Sequence, residues 1–104
     1  MDISNIHFHD TLILRVIEDA AADTLTMEVE YPVDWENNIF EPRLLIFEDV
    51  HGYQIFDGPF DGRPTILGAS IISTDGRRSR IRLETNAGNR ELSCTAVRLV
   101  EIGR

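Results

Sequence analysis

The chain has no lysine, and all ten of its basic residues are arginine. Every cationic side chain is therefore a planar fork suited to bidentate carboxylate contacts. The plainer reading of the absence is a codon bias in the source genome. Cysteine is nearly absent too: Cys94 stands alone, which excludes an intrachain disulfide. No apolar run approaches the roughly 18 residues of a membrane-crossing helix. The opening Met1-Asp2-Ile3-Ser4-Asn5 lacks the basic and apolar regions of a secretion signal. These absences make the cytoplasm the expected location. Also missing are a nucleophile elbow, a phosphate-binding loop and a dinucleotide-binding glycine pattern, so no cofactor is expected.

What is present fits one globular domain over residues 1–104, with 42% hydrophobic and 27% charged residues. The charge is unevenly placed. Residues 1–61 hold fourteen Asp and Glu against two Arg, whereas residues 62–104 hold four acids against eight Arg. The two halves should attract each other in the fold. A net charge of −8 opposes general nucleic-acid binding, which needs a positive surface to neutralise phosphates.

The dominant hydrophobic period is two. Leu25, Met27, Val29 and Tyr31 alternate with Thr24, Thr26, Glu28 and Glu30, the pattern of a half-buried strand. Residues 11–18 read as its hairpin partner, with Leu12, Leu14 and Val16 on one face. A loop is expected over Val33–Asn38, with Pro32 and Pro42 breaking the ladder on either side. Leu44-Leu45-Ile46-Phe47 suggests a strand covered on both faces, and Tyr53–Phe56 a further strand after Gly52. Asp57–Pro64, with two Asp-Gly steps and two prolines, reads as a rigid loop with Phe60 plugged into the core. Thr65–Ser73 follows as a strand kinked at Gly68. Turns are expected at Asp75-Gly76 and Asn86–Asn89. After Ala96 the apolar positions change parity, which implies a bulge near Arg98 or a strand end buried on both faces. With no helix long enough for a crossover, the expectation is an antiparallel β-sandwich or small β-barrel of seven or eight strands.

Candidate chemistry is sparse. His7 and His9 flank Phe8, and on a strand both imidazoles would share a face and could bind one metal ion, with His51, Glu48 or Asp49 as third ligand. The plainer alternative is an edge strand with Phe8 in the core and both histidines in solvent. Cys94, between Ser93 and Thr95, fits a small core residue. Of the paired carboxylates, Glu28 with Glu30 and Asp57 with Asp61 fit solvated or turn positions, while Glu48-Asp49 follows a buried run and is a modest site candidate. Arg78, Arg80 and Arg82 form a basic stripe that either binds an anionic partner or pairs with acids such as Glu28 and Glu30. Trp35, with Phe40 nearby, either caps the core or anchors a contact. A small-ligand pocket lined by Trp35, Phe47, Tyr53 and Phe56 is a further possibility.

The stretch Asn5-Ile6-His7-Phe8-His9-Asp10, the segment from Tyr31-Pro32 to Trp35 and the loop Phe56-Asp57-Gly58-Pro59-Phe60 resemble small bacterial all-β proteins, among them immunity proteins of bacterial toxin systems. The resemblance spans about the first two-thirds of the chain. It implies a bacterial cytoplasmic protein that binds another protein, and it implies no catalytic residue. The expected function is thus a non-enzymatic protein-interaction domain, recognising a basic partner or a second copy of itself. A ligand-binding barrel and a metal-dependent enzyme using His7 and His9 are the rivals.

Overall fold

The computed structural model describes residues 1–102. They form eight strands: β1 (Leu12–Asp19), β2 (Thr24–Asp34), β3 (Ile39–Glu48), β4 (His51–Asp57), β5 (Ile66–Asp75), β6 (Arg78–Thr85), β7 (Gly88–Cys94) and β8 (Ala96–Glu101). All pair antiparallel, in two sheets with the orders β1-β2-β3-β8 and β4-β7-β6-β5. No helix among the described residues is long and apolar enough to cross a membrane.

The alternation of β2 puts Leu25, Met27 and Val29 inside, opposite Ile81 and Leu83 of β6 and Leu92 and Cys94 of β7. Leu45, Phe47 and Ile66 complete the centre, and Ile6 and Phe8 close it from the N-terminal segment. Each of these large side chains contributes about 1.5–3 kcal/mol on leaving water. The sheets also join at one margin. Leu12 bridges Thr65, Ile13 N–H donates to the Pro64 carbonyl at 2.9 Å, and Ile66 N–H donates to the Thr11 carbonyl at 2.7 Å.

Several local expectations give way to tertiary effects. In β1 a bulge between Ile13 and Arg15 changes the parity, so Ile13 is buried and Leu12 and Leu14 are only partly covered. The prolines do not end their strands. Pro32 pairs with Phe40 and Pro42 with Glu30, each where its strand has lost its other neighbour and a missing N–H leaves no gap. In β3 only Leu45 and Phe47 are buried; Leu44 and Ile46 lie half-buried on the other face, so the strand is covered on one side only. Phe60 is no plug, being 43% exposed. The parity change after Ala96 is neither a bulge near Arg98 nor double burial. The chain leaves one sheet at Thr95, β7 facing the core from one layer and β8 from the other. The kink at Gly68 is present as a register shift, and the turn at Asp75-Gly76 joins β5 to β6.

Gly88 is required where it stands. Its φ is +144°, and a Cβ there would lie 2.3 Å from the Phe56 carbonyl oxygen. Only a glycine lets β7 come this close to the end of β4.

Candidate functional site

The arginine stripe is built into the second sheet. Arg80 and Arg82 flank Ile81 of β6 and both reach Glu91 on β7, through Arg80 Nε to Oε1 at 3.3 Å and Arg82 Nε to Oε2 at 3.2 Å. Arg80 is heavily engaged: its terminal nitrogens donate to the Gly52 carbonyl at 2.9 Å, to Ser93 Oγ at 3.3 Å and to Gln54 Oε1 at 2.9 Å. These contacts fill the irregularity between His51 and Gln54, so Arg80 clamps edge strand β4 to the sheet. Burial alone would raise the Glu91 carboxyl, but donation from Arg82 and Arg80 outweighs it and holds the group below its usual value. Arg78 Nη2 donates to Asp49 Oδ2 at 2.6 Å. The stripe's partners are therefore Glu91 and Asp49, not Glu28 and Glu30. Those two lie on the other sheet, where Glu28 takes Arg15 instead.

A second polar unit lies between the layers. Arg90 shares the inward face of Leu92 and donates to Tyr53 Oη at 3.1 Å and to Asp57 Oδ2 at 2.9 Å. Its side chain is 12% exposed and that of Asp57 18%. Burial pushes the Tyr53 hydroxyl above its ordinary value, with Arg90 pulling the other way. Tyr53 thus serves as an internal acceptor. The four aromatics expected to line one pocket are dispersed: Phe47 is wholly buried, Tyr53 is held by Arg90, and Phe56 and Trp35 are exposed.

His7 and His9 do not lie on a strand. They sit in the turn-rich segment before β1, with ring centroids 6.3 Å apart, and Phe8 between them is buried. His7 N–H donates to Tyr31 Oη at 2.9 Å, and His9 Nδ1 lies 3.1 Å from Asp10 Oδ2. His51 and Asp49, the expected third ligands, converge elsewhere. Among the described residues, one set of three metal-capable side chains meets, namely Asp23, Asp49 and His51. The D-x-H spacing of Asp49 and His51 is visible in the sequence; the approach of Asp23 from another turn is not. Cys94 is buried, and burial pushes its thiol up to about 11, which leaves it protonated and unreactive near neutral pH.

Trp35 lies at the tip of the β2–β3 hairpin and is 61% exposed, so it does not cap the core. Val33, Ile39 and Phe40 beside it are exposed as well. The tip is nevertheless ordered. Asp34 accepts from Asn37 N–H at 3.3 Å through Oδ1 and from Asn37 Nδ2 at 2.8 Å through Oδ2. Asn38 takes a φ of +56° and its N–H donates to the Trp35 carbonyl at 3.2 Å. Asparagine tolerates this left-handed conformation well. Asp34, Glu36 and Glu41 are close by in sequence, Glu41 lying 3.5 Å from Arg43.

Comparison of the chain with protein-family models, with curated proteins and with solved structures finds no match. Fold and site geometry define a class, an antiparallel two-sheet β protein with a projecting aromatic hairpin.

Proposed function

We propose that the chain is a non-enzymatic protein-interaction domain of the immunity type, acting in the bacterial cytoplasm and binding a basic protein through its β2–β3 hairpin. The observation that carries this reading is the exposed Trp35 on an ordered turn, with Val33, Ile39 and Phe40 exposed on the flanking strand ends and Asp34, Glu36 and Glu41 near them in sequence. Tryptophan is enriched among binding hot spots, and a turn fixed before contact loses little entropy on docking. These nearby acids and the net charge of −8 favour a cationic partner and speed the encounter. The same charge disfavours a second copy of the chain.

The test is a photo-crosslinker placed at residue 36, followed by reconstitution of the captured protein with the purified full chain. A basic partner should bind with salt-sensitive kinetics, and Trp35→Ala should weaken it by about 30-fold, roughly 2 kcal/mol. Affinity unchanged in Trp35→Ala and Phe40→Ala, or an acidic partner indifferent to salt, overturns the proposal.

A further inference from the structure

The two turns at the far end of β2 and β3 are stitched together. Asp23 closes the β1–β2 turn, and Asp49 begins the link that carries the chain from β3 to β4. Val50 N–H donates to the Asp23 carbonyl at 2.8 Å. Asp23 and Asp49 each have a φ of +54°, so both carboxylates leave the backbone in a fixed left-handed turn. His51 opens β4 directly afterwards. As a result the ligand atoms of Asp23, Asp49 and His51 all lie within 4.8 Å of one another.

One pair already has the spacing of two ligands on a single metal ion. His51 Nε2 stands 3.3 Å from Asp49 Oδ1. Two donors bound at about 2.0–2.1 Å in a tetrahedral set stand about 3.3–3.4 Å apart. Arg78 holds Oδ2 of the same carboxylate at 2.6 Å, which orients the group and leaves Oδ1 facing His51. A depression of about 330 Å³, lined by Glu18, Asp19, Asp23, His51 and Tyr53 among others, opens beside the three. It leaves room for a fourth ligand, and Glu18 and Asp19 add two carboxylates to its wall. An imidazole with two carboxylates suits zinc and its neighbours better than calcium or magnesium, which prefer all-oxygen sets.

We propose that Asp23, Asp49 and His51 form a binding site for a divalent transition-metal ion, with zinc the best match. The site is independent of the hairpin tip and of His7 and His9. It is tested by calorimetric titration of the chelator-treated full chain with zinc sulfate. One equivalent should bind, and Asp23→Asn and His51→Ala should each weaken binding at least about tenfold. Asparagine keeps the left-handed turn at position 23, so the metal-free melting curve should not move, and the His7→Ala/His9→Ala double variant should bind as the parent does. Absence of zinc binding, affinity unchanged in the Asp23 and His51 variants, or loss of binding in the His7/His9 variant would overturn the assignment.

Discussion

The two sheets handle their polar and apolar surface differently. In β4-β7-β6-β5, Arg78, Arg80, Arg82 and Arg90 each hold an acid, and Arg80 alone makes four contacts that fix an edge strand. In β1-β2-β3-β8, the long hairpin leaves Trp35 and Ile39 about half or more exposed and Phe40 more than a third exposed. The first of these sheets ties its arginines to its own acids and turns, although it too exposes Ile55, Phe56, Leu67 and Ile72 along its strands. The other holds an exposed tryptophan on a hydrogen-bonded turn, and that makes the tip, not the internally paired arginine stripe, the stronger contact candidate.

The largest break in this contrast should come from Asp57→Ala. It strands the Arg90 charge between the layers and should cost about 3 kcal/mol in denaturant unfolding. Replacing Arg90 by Met in the same chain should recover part of the loss, because the uncompensated charge is then gone. By contrast, Trp35→Ala should change the unfolding free energy by no more than about 0.5 kcal/mol, since the side chain packs against little. A large loss there would mean that the tip is structural.

A pH series sharpens the same comparison. Arg78 holds the Asp49 carboxyl below its usual value of 3.8, with His51 adding to the effect. The unfolded chain therefore takes up the proton first as pH falls. The contribution of this pair is present above the unfolded value and is lost as pH drops through the folded one. Melting temperature should fall as pH drops to and below 3.8, and Arg78→Met should flatten that fall. The smallest effect is expected for Arg15→Ala. Its pair with Glu28 is exposed, and its removal should shift stability by about 0.5 kcal/mol or less in the same unfolding assay.

Much of the fold was legible in the chain. The alternation of residues 24–31 placed β2 and its buried face, and Asp75-Gly76 and Asn86–Asn89 placed two hairpin turns, because each is a local backbone preference. Parity in β1 and beyond Ala96 was not legible. A bulge at Ile13/Arg15 and a change of sheet at Thr95 depend on what the strand meets across the layer. Of the candidate side chains, Trp35 and Phe40 are exposed, so the core-capping role of Trp35 fails, and Tyr53 and Arg80 are internal partners. Asp23 and Arg90 went unnoticed, having no neighbour in sequence that marks them.

The sequence by itself determined an antiparallel all-β domain with a charge-divided chain and a lone buried cysteine, because periodicity, turn residues and burial preference act over a few residues. Tertiary structure alone decided which acid each arginine takes, that the β2–β3 tip stays uncovered and that Asp23 meets Asp49 and His51. Those outcomes depend on distances between segments far apart in the chain, which no local preference encodes.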